Sequence, residues 1–290
     1  MGRHPAEAGG GLLKRSDIRV GVVLIEGTNC EDESVACFRH LGAKAEKVHL
    51  KQLTGDVPPE LRRRMDDYDI LMIPGGFAAG DYVRAGAIFA ARLRSTLSEE
   101  IVEFVEAGKP VFGVCNGFQV LVELGLIPAL GGTMPDRPEA VLATNDSGHY
   151  ECRPSLLKLE NRGSCAFTRT LKRGQVVTYI SAHAEGKFLM PKDRQAKMLK
   201  ELVANDQIVF RFVDDRGRYA GYPWNPSGTT HNIAALCNRD GNVFGVQPHP
   251  ERCFFRHLHP DWTRDPGRDP IYGDGKAVFE GALRYVERRF

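Results

Sequence analysis

The sequence has no long hydrophobic run, no strong excess of charge and no closely paired cysteines. No stretch reaches the roughly 18 consecutive apolar residues of a membrane-spanning helix, so we predict no membrane span. The net charge of +2, from 39 basic and 37 acidic residues, argues against a dedicated nucleic-acid-binding protein. The seven cysteines are odd in number and none forms a Cys-x-x-Cys pair. We therefore expect a reduced, cytoplasmic protein with neither a disulfide scaffold nor a metal site.

Segments typical of strands and helices alternate along the first half of the chain. Residues 18–25 form a β-branched run typical of a buried strand, and shorter apolar runs occupy residues 69–73 and 111–114. Helical patterns lie between these runs, one of them at residues 97–107, and the connections are short. This alternation predicts an α/β fold: a doubly wound, mostly parallel sheet with flanking helices. The second half is richer in strand patterns, and Asp240-Gly241 predicts a tight hairpin turn.

The two ends of the chain differ from its body. Residues 1–16 contain four glycines and no periodic apolar pattern, so we expect a flexible leader over residues 1–17. We expect residues 18–290 to form one domain, because no compositional break divides them. A polar loop at residues 260–274 precedes a predicted last helix, residues 276–289.

The motif Gly113-Val114-Cys115-Asn116-Gly117 lies where a predicted strand turns into a predicted helix. A nucleophile at such an elbow needs small residues two positions away on either side, because the chain reverses too tightly for a β-carbon there. The elbow also brings the sulfur to a helix N-terminus, which favours the thiolate. A buried structural cysteine between two turn glycines would give the same pattern, so the motif alone leaves both interpretations open.

A cysteine nucleophile needs a base, and the base needs an orienting group. Of the nine histidines, His249 directly follows a strongly predicted strand and lies between two prolines that stiffen the backbone. Glu251, two residues on, lies on the same side of an extended segment and can reach the imidazole. The alternative is a loop histidine beside a surface glutamate.

Pro74-Gly75-Gly76-Phe77 is a third feature that follows a predicted strand. Bare glycine amides, together with the N–H of Asn116, can hold the oxyanion of a tetrahedral intermediate. An ordinary glycine turn is the alternative. The carboxyl ends of strands form the active crevice of an α/β sheet, so three strand ends with complementary groups favour catalysis over coincidence.

Together these residues resemble the class I (triad) glutamine amidotransferase family, which has a flavodoxin-like architecture, and within it the glutaminase subunits of phosphoribosylformylglycinamidine synthases of purine biosynthesis. The segments that carry the resemblance are GTNCEDE (27–33), PGGFAAGDYVRAGAIFA (74–90), GVCNGFQVLVELGLIP (113–128), NPSGTTHNIAALCNRDGNVFG (225–245) and PHPER (248–252). The chain departs from the family pattern at the leader, at Ala78-Ala79 and in a longer segment at residues 253–274.

The resemblance implies that Cys115 attacks the carboxamide of L-glutamine and that His249, oriented by Glu251, moves the proton. The amides of Gly76 and Asn116 would hold the oxyanion, and the remaining substrate-binding residues would be Gly75, Phe77 and Gln119. It also implies transfer of ammonia to an ATP-dependent synthetase subunit, and leaves room for a small accessory subunit. We expect no cofactor in this chain, because it lacks a Walker-type phosphate loop; ATP and Mg²⁺ would bind to the synthetase.

Several alternatives stay open. The chain could be a different class I amidotransferase, a free-standing cysteine hydrolase (a γ-glutamyl hydrolase or a peptidase-like protein), or a non-catalytic module, which the intact triad disfavours. Three groups of residues have no firm role. The glutamine pocket or the contact with the synthetase can include Asp81, Tyr82 and Arg84. A partner-facing loop can include His183, Glu185 and Lys187, and a solvated loop is expected to contain Arg256, His257 and His259.

Overall fold

The computed structural model describes residues 13–264 and 269–290. In these ranges the strands are β1 (Arg19–Leu24), β2 (Lys44–His49), β3 (Ile70–Ile73), β4 (Val111–Val114), β5 (Val141–Ala143), β6 (Glu151–Leu159), β7 (Val176–His183), β8 (Lys187–Leu189), β9 (Ile208–Val213), β10 (Ile233–Cys237) and β11 (Val243–Val246). The helices are α1 (Glu31–His40), α2 (Leu50–Thr54), α3 (Ala87–Glu106), α4 (Asn116–Glu123), α5 (Gln195–Ala204) and α6 (Lys276–Arg289).

Nine of the described strands form one sheet, in the order β2-β1-β3-β4-β11-β10-β9-β6-β7, and β5 pairs with β8 separately. The first five strands are parallel to one another, whereas β10, β9, β6 and β7 extend the sheet in antiparallel fashion. The predicted doubly wound α/β fold is confirmed, but the sheet is mixed and parallel only in its first half. The hairpin at Asp240-Gly241 joins β10 to β11, and so short a connection requires antiparallel strands.

Alternate residues of the central strands face two separate layers of the core. In β3, Ile70 and Met72 pack with α1 and α6, while Leu71 and Ile73 pack with α3 and α4. Burial on both faces explains why these strands appear in the sequence as continuous apolar runs. No helix in the described ranges combines the length and the apolar character needed to cross a bilayer.

Two of the longer helices differ from the sequence prediction. The helix predicted at residues 97–107 begins ten residues earlier, at Ala87, and its conformation is interrupted at Leu97, where φ is −137°. Helix α5 was not predicted at all, because only Met198 and Leu202 of its ten residues are buried. Two buried positions are too few to give a clear helical period.

The predicted leader is only partly within the described residues. Residues 1–12 lie outside them, and for these the leader remains a prediction. Leu13 packs against the core, and Arg15 donates from Nε to Glu287 (2.7 Å) and from Nη1 to Glu280 (3.0 Å), both on α6. Residues 13–17 are therefore in contact with the fold, and the boundary at residue 17 stays a prediction.

Candidate active site

The turn between β4 and α4 holds Cys115 in a strained conformation, with φ 51° and ψ −107°. Left-handed φ is unfavourable for a residue with a β-carbon, and such strain is found most often at functional sites. The flanking glycines permit the turn. A β-carbon on Gly113 would lie 2.6 Å from the carbonyl oxygen of Gly117, and one on Gly117 would lie 1.9 Å from that of Ile73. The turn therefore has the geometry of a nucleophile elbow.

The thiol of Cys115 is buried and faces the antiparallel half of the sheet. Its Sγ lies 3.6 Å from the carbonyl oxygen of Ala182, at the end of β7, and 3.8 Å from Nε2 of Gln247. The nucleophile is thus bounded by β7 on one side and by the segment after β11 on the other. Sequence patterns gave no indication of the β7 contact, because residue 182 reaches Cys115 only through the long-range order of the sheet.

His249 and Glu251 form a buried pair in the segment after β11. The backbone N–H of His249 donates to the carbonyl of Ile180 (2.8 Å), and its Nδ1 is hydrogen-bonded to Oε1 of Glu251. Burial lowers the pKa of His249, but the Glu251 carboxylate and the thiols of Cys115 and Cys30 raise it, and the net pKa lies well above its usual value. No described residue bonds Nε2, which leaves that nitrogen available for proton transfer.

Gly75 lies between this histidine and the nucleophile. A β-carbon on Gly75 would lie 2.6 Å from Cε1 of His249 and 3.4 Å from Cβ of Cys115. The ends of β3, β4 and β11 therefore bring Cys115, His249 and Glu251 together around one glycine. A thiol beside a histidine that a carboxylate orients is the arrangement needed for nucleophilic catalysis.

Two predicted oxyanion donors remain candidates. Asn116 begins α4, so its backbone N–H has no acceptor within the helix. Its side chain donates from Nδ2 to Asp81 (2.9 Å) and Gln119 (3.0 Å). Gly76 has φ 149°, and a β-carbon there would lie 2.8 Å from Cα of Thr28. Glycine is therefore required at this position, because the backbone at Thr28 lies too close for a β-carbon.

Phe77 and Gln119 make hydrogen bonds within the protein that the sequence does not predict. The amide of Phe77 donates to the carbonyl of Gly27 (2.8 Å), so Phe77 can contact a substrate through its half-exposed ring but not through its N–H. Gln119 donates from Nε2 to the carbonyl of Glu185 (2.6 Å). Gln119 thus holds the loop after β7 against α4.

Asp81 belongs to the site, whereas its neighbours in the GDYVRAG segment face outward. Burial and the charge of Glu185 raise the pKa of the Asp81 carboxyl, the hydrogen bond from Asn116 lowers it, and the net pKa is about 6. Tyr82 is largely exposed, and Arg84 is paired with Glu123 at 2.5 Å. Asp81 is therefore the member of this group that can affect the oxyanion donor.

Asn145, which no sequence motif indicates, lies beside the candidate site. Its Nδ2 donates to the carbonyls of His183 (2.8 Å) and His149 (3.0 Å), and its Oδ1 accepts from Gly186 (3.0 Å). One buried side chain thus fixes the loop that follows β7. The signal available in the sequence was only a polar Asn-Asp pair after a short strand pattern.

Ligand-type atoms of Cys30, His249 and Glu251 lie within 4.8 Å of one another. Nη2 of Arg252 also lies 3.3 Å from Sγ of Cys30, and a guanidinium so close repels a cation. We therefore assign no metal to these residues. The Arg256, His257 and His259 group lies apart, where Nδ1 of His259 accepts from the amide of Asp261 (3.0 Å).

Known proteins share both the sequence and the fold. A model of the CobB/CobQ-like glutamine amidotransferase domain matches residues 17–286. The chain is 50% identical over 279 residues to "Phosphoribosylformylglycinamidine synthase subunit PurQ" of Archaeoglobus fulgidus, a match that covers 95% of this chain and 100% of that protein. It is 45% identical to the protein of the same name from Picrophilus torridus, over 82% of this chain and 88% of the relative.

A chain of the solved "Structure of PurLQS from Thermotoga maritima" has a similar fold, with a TM-score of 0.68 and 28% identity over 93% of this chain and 99% of that one. The resemblance inferred from sequence motifs is thereby confirmed. The chain belongs to the class I glutamine amidotransferase family, within its CobB/CobQ-like group, and resembles the PurQ subunits.

Proposed function

We propose that the chain is the glutamine-hydrolysing subunit of a phosphoribosylformylglycinamidine synthase. The observation that carries the proposal is the strained Cys115 elbow, which faces the buried His249–Glu251 pair across Gly75. The sequence identity to PurQ subunits over almost the whole chain supports the assignment to this synthase among the class I amidotransferases.

In the proposed reaction, the Sγ of Cys115 attacks the carboxamide carbon of L-glutamine. The carbonyl oxygen becomes an oxyanion, which the backbone N–H groups of Gly76 and Asn116 stabilise; losing one such donor typically costs about 3 kcal/mol of transition-state stabilisation. His249 takes the thiol proton and gives it to the nitrogen, which leaves as ammonia. The γ-glutamyl thioester remains on Cys115.

The second half of the reaction releases glutamate. His249 removes a proton from a water molecule that attacks the thioester carbon, and the proton returns to the sulfur as the C–S bond breaks. Glu251 holds the imidazole and stabilises its charged form in both halves. This role fits the raised pKa of His249, since a carboxylate beside a buried imidazole favours its protonation.

The ammonia would be used by a synthetase subunit that binds ATP and Mg²⁺ and converts formylglycinamide ribonucleotide to its amidine. The relatives are named as subunits of the synthase, and the similar chain comes from the structure of PurLQS, so we infer a synthetase partner and a small accessory subunit. No cofactor is required in this chain for the thioester chemistry. The seven cysteines are free thiols, in keeping with a reducing cytoplasm.

The test is the activity of the chain with its synthetase, using either glutamine or ammonia as nitrogen donor. We expect Cys115→Ala to abolish glutamine-dependent amidine formation and to leave ammonia-dependent formation intact. Cys237→Ala, an equally buried cysteine in β10, is the matched control and should retain both. Full glutamine-dependent activity in Cys115→Ala would rule out the mechanism, and fast turnover of the wild-type chain alone would favour a free-standing hydrolase.

A further inference from the structure

The loop at residues 182–187, here called the β7 loop, forms one wall of the site. It begins at Ala182, whose carbonyl oxygen lies 3.6 Å from Sγ of Cys115. Gln119 bonds the carbonyl of Glu185, and the carboxylate of Glu185 accepts the amide of Ala85 (3.0 Å). These contacts from α4 and from the segment before α3 hold the loop in one position next to the nucleophile.

His183 is fully enclosed in this wall, and its hydrogen-bonding state is determined by Asn145. Because Asn145 Nδ2 donates to two carbonyls and its Oδ1 accepts the N–H of Gly186, the orientation of the amide is fixed. Nδ1 of His183 lies 3.2 Å from that Oδ1, and an acceptor requires a donor. The proton of His183 therefore sits on Nδ1, and Nε2 carries a bare lone pair.

Nε2 of His183 is buried and has no hydrogen-bond partner among the described residues. An unpartnered buried nitrogen is costly, and in an active site it indicates a group that completes its hydrogen bonds when a ligand binds. The ring also has a dedicated place, since a β-carbon on Gly186 would lie 2.3 Å from Nδ1 and Cε1 of His183. Glycine at residue 186 allows the imidazole to occupy this position.

The imidazole of His183 stays neutral at working pH. Burial, together with the nearby charge of His249, lowers its pKa to about 3. At neutral pH, Nε2 of such an imidazole can accept a hydrogen bond from an N–H but has no proton to donate. His249, with its raised pKa, is the opposite kind of group.

We infer that Nε2 of His183 accepts a hydrogen bond from the glutamine nitrogen that leaves as ammonia. The inference rests on the proposed function and adds a binding residue for the departing group. No covalent bond forms at His183: one N–H···N hydrogen bond is made to the carboxamide NH₂ and is kept by the NH₃ product. The bond is strongest in the transition state, because the leaving nitrogen gains positive charge as it takes the proton from His249, so its loss lowers kcat more than it raises KM. An acceptor that cannot protonate ammonia preserves the nitrogen lone pair that the synthetase reaction needs.

The first test compares His183→Leu and His183→Asn in the complete complex with its synthetase. We expect His183→Leu to lower the glutamine-dependent kcat about five- to tenfold, the effect of one hydrogen bond, with little change in KM. Glutamate released per amidine formed should rise, and ammonia-dependent synthesis should be unchanged. His183→Asn retains a neutral acceptor and should be less affected. Ser181→Ala, a buried substitution in the same strand, is the control for general destabilisation.

Unchanged kcat and unchanged coupling in His183→Leu would overturn the inference. An equal decrease of kcat in His183→Leu and Ser181→Ala would also overturn the inference, since it would indicate a purely structural role of His183. The outcome is separate from that of Cys115→Ala, because only the latter tests whether the chain hydrolyses glutamine through Cys115.

A second measurement does not depend on the folding of a His183 variant. In the full-length Cys115→Ala chain labelled with ¹⁵N-histidine, we expect Nε2 of His183 to remain unprotonated between about pH 5 and 8 and its resonance to shift when L-glutamine is added. A proton on Nε2, a titration near the ordinary histidine pKa, or no response to glutamine would contradict the assignment.

Discussion

The parallel half of the sheet and its antiparallel extension each bring one buried histidine to the neighbourhood of Cys115. His249 follows β11 and has a carboxylate, Glu251, as its partner, and its pKa is raised. His183 ends β7 and has a carboxamide, Asn145, as its partner, and its pKa is lowered to about 3. Both rings are fully buried, so the partner decides which histidine can carry a proton and which can only accept a hydrogen bond.

The largest expected effect comes from making the two environments alike. Glu251→Gln replaces the carboxylate beside His249 with an amide, so the imidazolium loses its counter-charge and the tautomer is no longer enforced. We expect kcat for glutamine hydrolysis to fall by about 10²–10⁴, with a small change in KM, as for the orienting carboxylate of other triads. Steady-state glutamate release measures kcat. The control is Glu139→Gln, whose carboxylate accepts the amides of Leu130 and Gly131 and not a triad residue. A loss smaller than about tenfold would mean that the partner of His249 does not decide its role.

A change confined to the elbow tests the parallel half alone. Gly117→Ala would place a β-carbon 1.9 Å from the carbonyl oxygen of Ile73, so β3 and α4 must move apart. We expect the free energy of unfolding to fall by about 3 kcal/mol and glutaminase activity to be lost, because Cys115 shifts relative to His249. Gly221→Ala, where no atom lies within 4 Å of the added carbon, is the matched control in chemical denaturation. Wild-type stability in Gly117→Ala would show that the elbow is not tightly packed.

The two halves also differ in how much of them could be predicted from the sequence. The elbow at Cys115, the His249-x-Glu251 segment and the Gly75-Gly76 turn are short motifs directly after strongly apolar strands, so their meeting at one sheet edge follows from parallel topology. The antiparallel order of β6, β7, β9 and β10 depends on pairings between distant segments, which local patterns do not specify.

Hydrogen bonding across the fold explains the individual differences. The contact of Asn145 with His183 joins residues 38 positions apart, so neither the fixed tautomer nor the lowered pKa could be inferred from the SAHAEGKF segment. Similarly, the carbonyl that accepts the hydrogen bond from the Phe77 amide belongs to Gly27, in the loop after β1. A motif predicts which residue types gather at a site, whereas the partner of each N–H depends on the assembled structure.

The opposite pKa shifts predict opposite effects of pH on stability. For His183 the folded pKa lies below the unfolded value, so the unfolded chain binds more protons and the stabilisation is present above about pH 6.5 and lost as the pH falls toward about 3. For His249 the folded pKa is raised, so its contribution is present below about pH 6.5 and lost as the pH rises.

Replacing His183 with asparagine should therefore remove part of the acid sensitivity. Between about pH 6.5 and 5 we expect the wild-type chain to lose up to about 2 kcal/mol through His183, and the variant to lack this component. Urea denaturation at matched ionic strength, repeated across this pH range, measures the slope of the free energy of unfolding against pH. Identical slopes in the two proteins would indicate that His183 is not held neutral.

The smallest expected effect lies outside both histidine environments and gives the baseline for the comparison. Arg15→Ala removes the two ion pairs, with four hydrogen bonds between them, that attach residues 13–17 to Glu280 and Glu287 on α6. Because these side chains are partly exposed, we expect a loss of only about 1 kcal/mol in the free energy of unfolding, with kcat, coupling and the ¹⁵N signal of His183 unchanged. Lys44→Ala, which removes a more exposed pair with Asp17, should cost less still. A change in glutaminase activity in Arg15→Ala would mean that stability alone affects the site, and the effects assigned to the two histidines would then have to be measured against that loss.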